Sequence, residues 1–290
     1  MSEKPDLVIT AISGYTWEKI RPFALSLIQS GFQGDIVVLA TNTDDFTIEC
    51  LDNRGIKVVQ SRIEDNDPRG FVIKHRFVPL LRFLAKHKHE YRYVIWADAG
   101  DQIFQTNPSE WLEAHAVPLP TLVCARECWR IKDEVNFNDP WAKASFPNDY
   151  DWLRNQEVLC GGTVAGDADT VYNVIGQIYQ IVCDNSVAND QSALAYAVNR
   201  PFNLRMPHGL YTCIPRMVEG WTATCSAFDT TNFQSPIGLY SSLLTDRVPV
   251  FDLERGLVLT PDGKKLFSIV HQYNRDIRWV HKMHEKYRWD

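Results

Sequence analysis

Over the first hundred residues, short apolar runs alternate with amphipathic stretches. Asp6 to Ile12 (DLVITAI), Asp35 to Ala40 (DIVVLA) and Ile56 to Val59 are almost unbroken apolar runs, the pattern of strands buried on both faces. Between the first two, Trp17 to Gly31 repeats its apolar residues at helical spacing through Ile20, Phe23, Ala24, Leu27 and Ile28. Pro22 is expected near the first turn, where a missing N–H is tolerated. Thr43 is expected to cap a short helix through Leu51, which Gly55 ends. A βαβαβ opening of this kind predicts a parallel sheet with right-handed crossovers.

Ser61 to Gly70 is polar and reads as a loop. Phe71 to Lys88 then forms a long amphipathic helix, with Ile73, Phe77, Leu80, Leu81 and Leu84 on its apolar stripe and Lys74, Arg76 and Arg82 off it. Arg82 fits a solvated face, whereas Arg76 precedes the apolar run Tyr93-Val94-Ile95-Trp96-Ala97, a further strand. Leu122 to Ala125 is another strand candidate. From Trp129 to Trp152 periodicity fails and aromatics accumulate: Trp129, Phe137, Trp141, Phe146, Tyr150 and Trp152. Such a long irregular segment is usually functional or disordered, and its aromatic content argues against disorder. Each ring can pack a lid or stack on a sugar; the segment as a whole suits an acceptor surface.

Leu159 to Ala165 is strand-like and carries Gly161 and Gly162, a pair that permits close backbone approach. Asp167 caps a helix to about Cys183 with Val171, Val174, Ile175, Ile178 and Val182 inward. Asn189-Asp190-Gln191 opens a second helix, Ser192 to Asn199. Beyond Pro201 the pattern is irregular, with short apolar pieces at Phe202 to Met206 and Gly238 to Leu244, until Leu266 to Val270 leads into His271-Gln272-Tyr273-Asn274-Arg275. No repeat, low-complexity tract or linker interrupts this order. The fold class is α/β with a mostly parallel central sheet in one domain, residues 1–290.

The chain has 290 residues, 45% hydrophobic and 12% aromatic, ample for a large core. A net charge of −6 gives no global attraction to polyanions, so no nucleic-acid partner is expected. Seven cysteines form no CxxC pair, and the start of the chain shows no signal-peptide core; the expected location is cytoplasmic.

The candidate chemistry centres on Asp98-Ala99-Gly100-Asp101. An apolar strand there ends in two carboxylates separated by small residues, and open α/β sheets bind ligands at the carboxyl ends of their strands. The pair either holds a divalent metal against phosphates or forms a solvated acidic turn. His271, at the end of another apolar run, is either a third ligand or a structural histidine. An imidazole in the set shifts the preference from Mg²⁺ towards Mn²⁺. Arg76 and Arg275 are candidate auxiliary cations for a departing diphosphate. Asp190 is either a helix cap or a catalytic carboxylate. No GxxxxGK[ST] loop, GxGxxG turn or GxSxG elbow competes with this reading.

The run RFVPLLRFLAKHKHEYRYVIWADAGDQIFQTNP resembles the central segment of nucleotide-sugar glycosyltransferases of the GT-A type. Gly161-Gly162, Asp190-Gln191 and His271-Gln272-Tyr273 follow in the family order. The resemblance implies a metal-dependent transfer of a sugar from a nucleotide-diphosphate sugar to a hydroxyl of a carbohydrate acceptor. It implies Mn²⁺ or Mg²⁺ on Asp98, Asp101 and His271, with Arg76, Gly161, Gly162, Gln191 and Arg275 at the donor and Asp190 or Glu157 as catalytic carboxylates. Residues 1–125 would then form the nucleotide-binding half, 126–275 the acceptor and sugar half, and 276–290 a basic aromatic tail. Three departures stand out: Asp-x-x-Asp in place of Asp-x-Asp, Asn155-Gln156-Glu157 where Asn-Ala-Gly is common, and Asn274 in place of aspartate. Glu157 therefore orients a hydroxyl or lies in a loop. Asp190, Glu157 and Asp149 all remain candidate bases, so retention and inversion stay open.

The tail mixes Arg278, Lys282, Lys286 and Arg288 with Ile277, Trp279, Val280, Met283, Tyr287 and Trp289. It either packs onto the domain, the preferred reading, or touches an anionic membrane surface peripherally. A sugar nucleotidyltransferase and a non-catalytic carbohydrate-binding domain are the alternative functions; the former calls for a Gly-rich basic loop that the Ser13-Gly14-Tyr15-Thr16-Trp17 turn lacks.

Overall fold

A computed structural model describes residues 4–61, 76–115, 122–199, 222–224 and 249–288. Expectations for Phe71 to His75, for the loop to Gly70, for Phe202 to Met206, Gly238 to Leu244 and Trp289 lie outside those residues, as does the side chain of Trp129. The strands are β1 (Leu7–Ser13), β2 (Asp35–Thr41), β3 (Lys57–Gln60), β4 (Tyr93–Ala97), β5 (Gln102–Phe104), β6 (Leu122–Arg130), β7 (Glu157–Asp167), β8 (Thr222–Thr224), β9 (Val250–Asp252), β10 (Leu257–Leu259) and β11 (Ile269–His271). The helices are α1 (Trp17–Gln29), α2 (Asp45–Asp52), α3 (Val78–His87), α4 (Pro108–His115), α5 (Asn138–Ser145), α6 (Tyr150–Leu153), α7 (Ala168–Asp184), α8 (Asp190–Asn199) and α9 (Ile277–Lys286).

Among the described residues, nine strands form one sheet in the order β3-β2-β1-β4-β7-β6-β8-β11-β5, and β9 and β10 form a separate hairpin. The first four pair in parallel, as the βαβ spacing predicts; β7 runs antiparallel to β4 and β6, and β5 antiparallel to β11. Helices cover both faces. On β1, Val8 and Ile12 face one core with Ile20, Phe23 and Leu27 of α1, while Leu7 and Ile9 face the other with Leu80 and Leu84 of α3 and Val174 and Ile175 of α7. The two-residue period of a strand sorts its side chains this way.

Local signals explain several element ends. Asp167 accepts from the Thr170 N–H at 3.0 Å, and the expected inward face of α7 is buried throughout. At α2 the cap is Asp44, one residue beyond Thr43: its carboxylate takes both the N–H and the hydroxyl of Thr47 at 2.8 Å, leaving Thr43 to hydrogen-bond Thr41. Pro22 lies inside α1 rather than at its start. Asp6 anchors the sheet, taking two bonds from the Arg92 guanidinium at 2.9 Å, and Arg92 also reaches Glu113 of α4. The tail packs as preferred: Trp279, Met283 and Tyr287 are buried against Ile103 and Val270.

The run through Asp98 is not one strand. It breaks into β4 and β5, which lie five steps apart in the sheet order. On a flat sheet that is roughly 24 Å at ~4.8 Å per strand, whereas the chain from Ala97 to Gln102 spans at most about 18 Å. The sheet therefore curls until its β5 edge returns to the end of β4, and the Asp98–Asp101 turn is the link.

Candidate active site

The curl delivers His271 to the carboxylates. One ligand atom from each of Asp98, Asp101 and His271 lies within 4.8 Å of the others. His271 Nε2 is 3.4 Å from Asp101 Oδ1 and 3.9 Å from Asp98 Oδ2. Backbone bonds fix the junction: Asp98 N–H donates to the Gly162 carbonyl at 2.9 Å and Gln272 N–H to the Asp101 carbonyl at 2.8 Å. Gln272 adopts φ 59°, a left-handed conformation that turns the chain sharply after His271.

Arg76 joins the second half of the site. Its Nη2 donates to Asp98 Oδ1 at 2.5 Å and to the Gly161 carbonyl at 3.1 Å, and its Nη1 donates to Asp190 Oδ2 at 2.7 Å. The guanidinium lies 4.6 Å over the Trp96 ring. Its planar fork suits such bridging of two carboxylates. Asp190 is thus free of the capping role, which Asn189 takes by accepting from the Ser192 N–H at 2.8 Å. Burial pushes the Asp98 carboxyl up to about 6 while Arg76 pulls it down. Burial opposes charge on Arg76, but Asp98 and Asp190 more than restore it. Burial likewise opposes a charged His271 ring, which the Cys160 sulfur and the Asp101 carboxylate outweigh.

A cleft of about 300 Å³ opens beside this cluster, lined by Tyr15, Lys19, Arg76, Asp98, Gly100 and Asp101 among others. Tyr15 carries the Lys19 ammonium 3.7 Å over its ring, and burial followed by the two aspartates raises its hydroxyl pKa. Gly100 keeps this wall close: a Cβ would stand 2.8 Å from the Tyr15 hydroxyl, and the Tyr15 and Lys19 side chains would have to shift. Asn274, not Arg275, lines the cleft; Arg275 is exposed in the following turn.

The remaining expected residues divide. Gly161, Gly162 and Gln191 sit at the cluster. Glu157 begins β7, five residues before Gly162, or about 16 Å along an extended strand. Asp149 accepts from the Tyr196 hydroxyl at 2.7 Å, within the packing of α6 and α8. One participant escaped sequence reasoning. Glu127, next to Arg126 on β6, is buried beside the site, where Gln191 Nε2 approaches its Oε1 at 3.5 Å. Burial raises its pKa, and the facing Gln191 amide opposes that shift.

No protein-family model matches the chain, and no curated protein does. Solved structures match over nearly its whole length. The bifunctional glycosyltransferase WbbM aligns over 98% of this chain and 50% of its own, with a TM-score of 0.54 and 11% identity. The chain thus spans about half of WbbM. The galactosyltransferase LgtC, solved with donor and acceptor sugar analogues, aligns over 97% of this chain and 95% of its own, at TM-score 0.53 and 9% identity. An active-site mutant of LgtC gives 0.54 over the same shares, also at 9% identity. The chain has the fold of GT-A glycosyltransferases. Within a GT-A fold, the Asp98 turn, the Gly161-Gly162 pair and His271 meet at the carboxyl end of β4, beside the cleft.

Among the described residues no helix is long and apolar enough to cross a membrane.

Proposed function

We propose that the protein is a metal-dependent glycosyltransferase that moves a sugar from a nucleotide-diphosphate sugar to a hydroxyl of a carbohydrate acceptor. The observation that carries this reading is the convergence of Asp98, Asp101 and His271 at the edge of the cleft. The ligand atoms, with contacts of 3.4 and 3.9 Å from His271 Nε2, lie close enough together that one cation could be held by Asp98, Asp101 and His271. Two carboxylates and an imidazole suit Mn²⁺ better than Mg²⁺. Once bound, the ion would neutralise charge developing on the diphosphate leaving group.

The chain's own residues supply the rest. Arg76 fixes the Asp98 and Asp190 carboxylates in place, so neither has to reorganise during transfer. Both Asp190 and the Gly161 carbonyl are tied to this guanidinium, which favours Asp190 as a group that orients the sugar hydroxyls. The Tyr15 face and the Lys19 ammonium suit a nucleobase and its phosphates. Gly161 lets the sugar approach the backbone of β7, whereas the space beside Gly162 is taken by the His271 ring. Among the described rings of the Trp129–Trp152 segment, two remain for the acceptor surface. Phe146, Tyr150 and Trp152 are spent on packing, whereas Phe137 and Trp141 are 57% and 38% exposed and lie 5.4 Å apart. Phe137 adjoins Asn138, whose Oδ1 accepts from Gln191 Nε2 at 2.9 Å, so these rings border the same site.

A panel of nucleotide-sugars, scored for hydrolysis and thermal stabilisation with and without Mn²⁺, tests the proposal. One donor should stabilise the protein only with the metal, and Asp98→Asn should abolish both effects. Full Mn²⁺-dependent turnover by Asp98→Asn would sink the mechanism.

A further inference from the structure

The Gln191 amide is oriented by a short series of hydrogen bonds that begins at Glu134. Ahead of α5, Glu134 takes the backbone N–H groups of Asn136, Phe137 and Asn138 at 3.2, 3.0 and 2.5 Å. Backbone N–H groups only donate, so the Glu134 oxygens are acceptors there. The Asn138 side chain meets the same Oε2 at 3.0 Å, and an acceptor selects the nitrogen end of an amide. Asn138 Oδ1 is therefore the end turned to Gln191, 2.9 Å from its Nε2. Asn138 is buried, so this pairing also satisfies an amide that has left water. A reversed Gln191 amide would set oxygen against oxygen, with no proton between them. The other Nε2 proton has Glu127 Oε1 before it at 3.5 Å. Among the described residues, no hydrogen bond reaches Gln191 Oε1.

We propose that Asn138, itself fixed by Glu134, is a positioning residue that holds the Gln191 amide with its carbonyl oxygen open to accept from a hydroxyl of the transferred sugar. The place of Gln191 supports that ligand. Its Cα stands 3.9 Å from the point that a Cβ on Gly161 would occupy. The residue before it, Asp190, is joined through Arg76 to Asp98 and the Gly161 carbonyl. A sugar hydroxyl can donate or accept, but an amide held in this way takes only its proton. Selectivity follows, because a site built to bond a hydroxyl rejects the analogue that lacks it. Glu134 also holds the backbone of Phe137, so one carboxylate sets both the Gln191 amide and the exposed ring beside it.

This inference rests on the glycosyltransferase reading, and the experiment keeps the two apart. UDP-glucose, UDP-galactose and GDP-mannose are titrated calorimetrically with Mn²⁺, beside analogues in which each sugar hydroxyl is replaced in turn by hydrogen or by fluorine. The proteins compared are the wild type, Asn138→Ala and Gln191→Met, with thermal midpoints as the folding control. In the wild type one position should lose about 10-fold in affinity, the scale of one hydrogen bond. Fluorine accepts but cannot donate, so it should do no better there than hydrogen. Asn138→Ala frees the amide to turn, and the preference at that position should shrink towards none. Gln191→Met keeps the side chain's length without the amide; it should do the same, and it decides the matter if Asn138→Ala does not fold. A merely structural Asn138 would weaken every analogue alike and leave the preference intact. An intact preference in the folded variants, no preference in the wild type, or fluorine bound as well as hydroxyl overturns the positioning role while the glycosyltransferase reading stands. No Mn²⁺-dependent binding of any of the nucleotide-sugars overturns both.

Discussion

The imidazole of His271 fills the space that a side chain at Gly162 would occupy: a Cβ there would lie 2.3 Å from Cε1 and 2.6 Å from Nε2. Real Cβ contacts are never so short, and the ring is walled by Cys160 on its other edge. Gly162→Ala should therefore expel His271 from the aspartates. The expected outcome is loss of Mn²⁺ binding and at least a 100-fold fall in turnover, by analogy with a misplaced catalytic group. Gly161→Ala is the control. Its Cβ would meet only Gln191 Cα, at 3.9 Å, so it should fold and bind Mn²⁺ normally.

Arg76→Lys keeps the charge and removes the fork. A single ammonium cannot hold Asp98, Asp190 and the Gly161 carbonyl together as the two terminal nitrogens do. Steady-state kinetics should show kcat reduced by about 10²-fold, the scale for losing a preorganised charge contact. Arg82→Lys, on the exposed side of α3, should leave kinetics unchanged.

Phe137→Ala and Trp141→Ala test the acceptor surface. Both rings are exposed, so neither change opens a core cavity. The acceptor KM should rise, by roughly 10-fold for the pair if stacking contributes ~1.4 kcal/mol, with the donor KM unchanged. Trp152→Ala, in the packed cluster with Phe146 and Tyr196, should instead lower the thermal midpoint.

The junction of α1 with α9 should be acid-sensitive. Arg21 Nη2 lies 3.4 Å from His284 Nδ1, and burial, then Arg21 and His281, lower the histidine's pKa while Glu18 opposes them. A base whose folded pKa is depressed takes up its proton more readily when unfolded. Its stabilising effect is therefore present above the ordinary pKa of ~6.5 and is lost as pH falls through that value. The thermal midpoint should drop between pH 7.5 and 5.5 by more in wild type than in His284→Asn.

Much of this was legible where the signal is local. The unbroken apolar run into Asp98, the cap at Asp167 and the inward stripe of α7 are each set by neighbouring residues, and each appears as expected. Asp98, Asp101 and His271 stood out as carboxylates and an imidazole at the ends of apolar runs, and Gly161, Gly162, Asp190 and Gln191 by their order in the family resemblance; the fold brings them together. What periodicity does not carry is pairing over long separations. It gives no hint that Gln102 to Phe104 leaves β4 for the far edge, nor that Glu127 on β6 meets Gln191 at the start of α8. Cap choice failed by one residue because Thr43 and Asp44 are both competent, and only the Thr47 contacts select between them.

The curled sheet also orders events in time. His271 pairs with Gln102 as β11 docks between β8 and β5, joining segments about 170 residues apart in the chain. Contacts of that separation form late, because loop closure must precede any gain from them. During synthesis β5 thus waits with an open edge, and the third candidate ligand arrives with the very strand that covers it. A cation that held His271 to Asp98 and Asp101 would also hold β11 against β5, and should slow local opening of these two strands in hydrogen exchange before it slows anything else.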